Sequence, residues 1–125
     1  MSETPLRQLL DSGEASEVGT ASLPAFLTSP LGALLITGDP AQRPEAEDLA
    51  VVGRELKRMS GGALSLGIVS RADEDAVMKQ LSVNVVPTVV FVKGGRVVSS
   101  VPKLQDWSVY ARAAATLFPR AETTR

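Results

Sequence analysis

The side chains that could do chemistry in this chain are mostly carboxylates, and one group of them lies between residues 39 and 48. The group consists of Asp39, Glu45, Glu47 and Asp48. Carboxylates at the start of a helix are stabilised by the helix dipole, which is the simpler explanation of the group. A carboxylate also binds the guanidinium group of arginine through two parallel hydrogen bonds. The second interpretation is therefore a surface that receives arginine side chains of a partner peptide.

Two residue types that often carry catalysis are absent, since the chain has no cysteine and no histidine. Without thiols it can form no disulfide, do no thiol redox chemistry and offer no cysteine nucleophile. Without imidazole it lacks serine–histidine and cysteine–histidine catalysis, and the two absences together remove the usual zinc ligands. Carboxylates leave acid–base chemistry and a magnesium site open, but few classes of enzyme remain.

The length and the charge balance set further bounds. A chain of 125 residues has room for one domain, which we expect to span residues 1–118. The polar residues 119–125 are expected to form a disordered tail. The 13 basic and 14 acidic residues give a net charge of −1, which argues against binding to nucleic acid because that requires an excess of cations.

No export or membrane segment is expected. Residues 1–12 carry Glu3, Arg7 and Asp11 and have no long apolar core, so they do not resemble a signal peptide. Residues 19–38 are uncharged, but their prolines, glycines and hydroxyl side chains are unlike the uniformly apolar sequence of a membrane helix. We therefore expect a cytoplasmic protein that does not insert into a membrane.

The elements that position these groups are predicted from the spacing of apolar residues. Strands are predicted over residues 33–37, 63–69, 89–92 and 96–101, with helices starting near Thr4, Asp39, Asp73 and Asp106. The first three strands are connected through helices, which predicts parallel neighbours, and the Gly94-Gly95 turn predicts an antiparallel hairpin. The predicted architecture is a mixed α/β sheet with helices on both faces.

The helix predicted over residues 39–59 carries the acidic group. Asp39 is expected to cap it, and Pro44 to kink its first turn. Its buried stripe is predicted at Ala46, Leu49, Val52, Gly53, Leu56 and Met59, with Val51 and Glu47 pointing away from the core. A glycine inside a helix costs about 1 kcal/mol relative to alanine, so we expect a close approach to the sheet at Gly53.

The last predicted helix carries two aromatic residues. Trp107 and Tyr110 are expected to share the buried face of this helix with Ala111 and Ala114. Core packing is the preferred explanation of both rings. The alternative is an aromatic anchor for a partner.

The order of elements, together with residues 81–101, resembles thioredoxins. The sequence LSVNVVPT at residues 81–88 is similar to the stretch that precedes and includes the cis-proline of thioredoxins, and a strand, a glycine turn and a returning strand follow it. The resemblance implies a thioredoxin-like fold, a cis bond between Val86 and Pro87, and a Val86 backbone that can pair with an extended peptide. Thioredoxins carry a Cys-x-x-Cys motif where this chain has residues 38–44, so the dithiol chemistry is not carried over.

Shorter motifs resemble the HupG/HyaE family of cysteine-free, thioredoxin-like bacterial proteins. They are Gly-Asp-Pro at 38–40, Arg-Pro-Glu at 43–45, Ala-Val-Val at 50–52, and Asp106-Trp107 followed by Tyr110. Members assist the maturation of uptake nickel–iron hydrogenases and are expected to bind the twin-arginine signal of the small subunit before export. The resemblance implies a non-enzymatic chaperone or adaptor without a cofactor, whose partner is the small-subunit precursor. The candidate peptide-binding residues are then Asp39, Glu45, Glu47, Asp48, Val86 and Pro87.

Two other functions remain open. The chain could be an enzyme or ligand-binding protein of another cysteine-free thioredoxin-like branch, for example one that binds glutathione, although the acidic loop should repel that anion. It could also be a structural subunit that associates with itself through a sheet edge. The sequence predicts no particular oligomeric state.

Overall fold

The computed structural model describes residues 4–117, which form a five-stranded mixed sheet flanked by helices. The strands are β1 (Ser16–Val18), β2 (Leu31–Ile36), β3 (Ser65–Val69), β4 (Thr88–Lys93) and β5 (Arg96–Pro102). The helices are α1 (Pro5–Ser12), α2 (Leu23–Leu27), α3 (Leu49–Met59), α4 (Glu74–Leu81) and α5 (Trp107–Ala115). Short 3₁₀ turns at Pro44–Asp48 and Arg71–Asp73 lead into α3 and α4. The tail predicted over residues 119–125 lies outside the described residues.

The strand order is β1–β3–β2–β4–β5, and the sheet is parallel on one side and antiparallel on the other. β3 runs parallel to β1 and β2, whereas β4 is antiparallel to β2 and β5 is antiparallel to β4. The prediction that β4 is a parallel neighbour was wrong. β4 starts at the same end of the sheet at which β2 ends, with Thr88 beside Ile36. A parallel neighbour would have required the chain to return to the opposite end before β4 began.

The side chains of β2 alternate between two buried clusters. Leu31, Ala33 and Leu35 pack in the cluster that contains residues of α1, α3 and α5. Leu34 and Ile36 pack in the cluster that contains residues of α2 and α4. Every residue of β2 is buried, as predicted for an apolar run that is covered on both faces.

The helix that carries the acidic group starts later than predicted. The N–H groups of Gln42 and Arg43 donate to the Asp39 carbonyl at 3.0 and 2.9 Å, which closes a turn. Arg43 then adopts φ −130° and ψ 77°, because the residue before a proline is driven out of the helical region. Pro44 therefore begins the helical segment. The predictions that Asp39 caps the helix and that Pro44 kinks it were wrong.

The buried face of α3 matches the prediction except at its end. Leu49, Val52, Gly53 and Leu56 are buried, and a Cβ placed on Gly53 would lie 3.0 Å from Leu66 Cδ2. This contact confirms the expected close approach of α3 to the sheet. Val51 is 60% exposed, as predicted. Met59, expected in the stripe, is instead exposed, because it is the last residue of α3 and an exposed turn follows it.

Candidate functional site

The loop after β2 brings Gly38 against Val86. Gly38 has a φ of 75°, a conformation that glycine adopts without steric cost. A Cβ at this position would lie 2.8 Å from Val86 Cγ2, so a larger residue would displace Val86. The cysteine-free loop therefore faces the residue that precedes Pro87.

A buried carboxylate holds this loop in place. Glu74 at the start of α4 is 4% exposed, and its Oε2 accepts a hydrogen bond from the Gly38 N–H at 2.9 Å. Its Oε1 accepts from the Arg71 guanidinium group, and the Thr37 hydroxyl donates to the Gly38 carbonyl at 2.9 Å. Glu74 was not predicted as part of the site, because in sequence it is only another carboxylate in the first turn of a helix.

The Val86–Pro87 peptide bond is cis, as the resemblance to thioredoxins implied. The Pro87 carbonyl accepts from the Lys103 N–H at 2.6 Å, and the Val85 carbonyl accepts from the Thr88 hydroxyl at 2.8 Å. Within residues 4–117, the N–H and C=O of Val86 have no hydrogen-bond partner. These two groups are therefore available to an extended chain that lies beside Val86.

A surface pocket of about 500 Å³ surrounds this backbone. We call it the Val86 pocket, and it is lined by Arg43, Glu45, Asn84, Val85, Val86, Pro87, Lys103 and Leu104. Its charged groups are two cations and one carboxylate. Of the four acidic candidates, only Glu45 shares the pocket with Val86 and Pro87.

Two of the acidic candidates are engaged within the fold. Glu47 is half-buried, and its Oε1 accepts from the Leu6 N–H at 2.9 Å. That N–H lies in the first turn of α1, where backbone donors lack partners inside the helix. Glu47 is not part of the buried core, as predicted, but it contacts the start of α1 instead of pointing into open solvent. Asp39 Oδ1 accepts from the Ala41 N–H at 3.0 Å and so stabilises its own turn.

The fourth acidic candidate, Asp48, lines a separate groove of about 530 Å³. We call it the Trp107 groove, and it is lined by Asp48, Val51, Val52, Glu55, Leu104, Gln105 and Trp107. Trp107 is 39% exposed, so the prediction that it packs in the core was wrong. It is the first residue of α5 and faces this groove, whereas Tyr110, one turn further on, is fully buried as predicted.

The Tyr110 hydroxyl fixes the loop between β5 and α5. It accepts from the Gln105 N–H at 3.0 Å and donates to the Lys103 carbonyl at 3.1 Å. Burial raises the pKa of Tyr110 above its usual value of 10.0, and the hydrogen bond from Gln105 opposes part of that rise. The loop it holds contributes Leu104 to both the Val86 pocket and the Trp107 groove, so the two depressions are adjacent.

Within the described residues 4–117, no three carboxylates are placed to hold a metal ion. No helix in that part of the chain is both long and apolar enough to cross a bilayer. What the surface offers is an unpaired backbone segment, an apolar groove and a few exposed charges.

The fold and this site together define a thioredoxin-like protein without the dithiol. A mutant thioredoxin from Halobacterium salinarum NRC-1 has the same fold, with a TM-score of 0.60 at 20% identity over 84% of this chain and 91% of that one. The family model described as "Hydrogenase-1 expression protein HyaE" matches residues 6–110. The chain belongs to this family.

Named relatives agree with the assignment. The hydrogenase expression/formation protein HupG of Bradyrhizobium diazoefficiens is 38% identical over 110 residues, which cover 84% of this chain and 74% of that protein. A crystal structure from Rhodopseudomonas palustris CGA009, assigned as a hydrogenase expression/formation protein hupG, is 31% identical with a TM-score of 0.57. That match covers 82% of this chain and 93% of the other.

Proposed function

We propose that this protein is a non-enzymatic chaperone or adaptor in the maturation of a nickel–iron hydrogenase and that it acts in the cytoplasm. Family membership supports the role in maturation, because the family model and the curated relatives are hydrogenase expression or formation proteins. The absence of cysteine and histidine from the sequence supports a role in binding over one in catalysis.

Its partner in this proposal is the twin-arginine signal peptide of the small-subunit precursor. The observation that carries the proposal is the pair of unpartnered backbone groups on Val86, which lie beside an open pocket. An extended peptide can pair with such groups as an added strand does. Reversible binding would mask the signal until the precursor is folded and carries its cofactor.

The four acidic candidates differ in how they could contribute to peptide binding. Glu45 and Asp48 line the two depressions and can meet a peptide directly. Asp39 and Glu47 keep their local hydrogen bonds and add only to the surrounding negative field. We expect charge reversal of Glu45 or Asp48 to weaken binding more than charge reversal of Asp39.

Titration calorimetry of the full chain with a hydrogenase small-subunit signal peptide tests this proposal. The control is the same peptide with both arginines replaced by glutamine. We expect saturable binding of the natural peptide and weaker binding of the control, with the difference shrinking at high salt because exposed charges are screened. Absence of binding at high micromolar peptide would rule out the proposed partner.

The charges of the Val86 pocket favour one alternative ligand. The two cations Arg43 and Lys103 outnumber the one carboxylate, Glu45, in this pocket. The acidic sequence around Asp39 predicted that glutathione would be repelled, but the charge balance of the pocket suits an anionic peptide of this kind. The same calorimeter distinguishes the two ligands. Binding of glutathione without binding of the signal peptide would favour a ligand-binding protein.

A further inference from the structure

We infer that the Trp107 groove is the docking surface for an apolar peptide segment that carries arginine side chains. This inference rests on the proposed function, because it assigns the arginine-bearing part of the signal peptide to a place on the surface. It moves that part away from the Val86 pocket and from Asp39 and Glu47.

The groove has an apolar floor and wall that nothing in residues 4–117 covers. Asp48, Val51, Val52 and Glu55 follow one another at spacings of three, one and three residues, so they form a single stripe along the start of α3. Leu104 and Trp107 form the opposite wall. Val51 is 60% exposed and Trp107 is 39% exposed, so both can lose water when an apolar segment binds.

The charges of the groove fit a cation and oppose an anion. Asp48 and Glu55 stand at the two ends of the stripe, and no lysine or arginine lines the groove. Within residues 4–117, the Asp48 side chain makes no hydrogen bond or ion pair. Glu55 pairs with the largely exposed Arg58 at 2.8 Å, and such exposed pairs are weak enough to exchange for another cation. The neighbouring Val86 pocket has the opposite charge balance, so arginines should enter the groove.

Trp107 suits the same ligand. An arginine guanidinium group stacks favourably on an indole face, and tryptophan is enriched among the residues that dominate binding energy. The ring stands beside a wall that is already fixed, because Tyr110 bonds to Gln105 and Lys103, and Lys103 bonds to Pro87. A preformed wall reduces the ordering cost of binding.

Leu104 lines both depressions and connects them. A single extended peptide can therefore pair with the Val86 backbone and continue into the groove. In this arrangement the backbone of the peptide is recognised at Val86, and its apolar and cationic side chains are recognised at Trp107.

The chain contains a single tryptophan, so its fluorescence reports on the groove directly. The experiment titrates the full chain with a signal peptide that lacks tryptophan and follows Trp107 emission, in parallel with calorimetry. We expect a saturable blue shift whose midpoint equals the calorimetric dissociation constant. Val51→Ser should weaken binding at least threefold, and the double variant Asp48→Asn, Glu55→Gln about two- to tenfold at low salt.

Val98→Ser is the control, because Val98 is also an exposed valine, at 41% against 60% for Val51, but lies on β5 outside the groove. It should bind the peptide as the wild type does. Thermal unfolding of each variant, compared with the wild type, shows that the groove variants remain folded.

The outcomes separate this inference from the proposed function. If calorimetry detects binding while Trp107 emission and the groove variants show no effect, the inference is wrong and the proposed partner stands. A peptide of alternating leucine and arginine serves as a second probe. If it shifts Trp107 emission while the signal peptide does not bind, the groove is upheld and the proposed partner is rejected. If neither peptide binds, both are rejected.

Discussion

At the scale of single residues, the Tyr110 hydroxyl holds the loop that lines both the Val86 pocket and the Trp107 groove. Replacing Tyr110 with Phe removes only this oxygen and leaves the Gln105 N–H and the Lys103 carbonyl without their partner. Because both bonds are only partly buried, we expect Tyr110→Phe to lower the free energy of unfolding by about 0.5–1.5 kcal/mol, the usual net contribution of a hydrogen bond. Urea unfolding measures this loss. Thr116→Val removes an exposed hydroxyl near the end of the same helix and should change stability by less than about 0.5 kcal/mol.

The same hydroxyl makes stability depend on alkaline pH. The pKa of Tyr110 is raised above 10.0 in the folded protein, so folding favours the protonated phenol. Its contribution is complete below pH 10.0 and is lost as the pH rises through the raised value. The stability advantage of the wild type over Tyr110→Phe should therefore shrink above that pH. Tyr110 is the only tyrosine, so tyrosinate absorbance follows it alone, and a midpoint at or below 10.0 would contradict the prediction.

Sequence patterns predicted single residues well only where the cause is local. The exposure of Val51 and the need for glycine at position 53 follow from helical spacing. The roles of Glu47 and Glu74 could not be predicted, because their backbone partners lie 41 and 36 residues away. A carboxylate in a first helical turn looks the same in sequence whether it faces water or satisfies a distant N–H group.

At the scale of elements, the contact between α3 and the sheet is set by one missing side chain. A Cβ at Gly53 would lie 3.0 Å from Leu66 Cδ2 and 3.3 Å from Leu35 Cδ1. Gly53→Ala gains about 1 kcal/mol of helix propensity, but overpacking a core typically costs about 1–3 kcal/mol. We expect a net loss of up to about 2 kcal/mol in chemical denaturation. Val51→Ala on the exposed side of α3 should be nearly neutral, and a stabilised Gly53→Ala would show that the sheet yields.

The helices and strands were predicted correctly where apolar runs are long, but the direction of β4 and the start of α3 were not. The buried run of β2 and the glycine hairpin between β4 and β5 have clear local signals. The direction of β4 and the late start of α3 depend on where the chain returns to the sheet and on the restriction that Pro44 places on Arg43. The burial of Trp107 was predicted wrongly, because helical spacing shows which residues share a face of α5 but not how much of that face is covered by the core.

At the scale of the whole molecule, a thioredoxin architecture is present without any thiol. We expect no acceleration of insulin reduction by dithiothreitol, because no residue can form a mixed disulfide. The assay follows insulin turbidity, with an authentic thioredoxin as the positive control. Catalysis above the uncatalysed rate, in a preparation free of contaminating thioredoxin, would contradict this expectation.

The two edge strands of the sheet also determine whether copies of this chain can pair with one another at high concentration. β1 offers only three residues at one edge. At the other edge, β5 begins with Arg96, ends with Pro102 and shifts register opposite Phe91 and Val92. Short strands, terminal prolines, charges and bulges all hinder the continuous pairing from which fibres and swapped strands grow. These features hinder polymerisation through the sheet edges of the described residues, and the unpaired backbone of Val86 lies outside both edge strands.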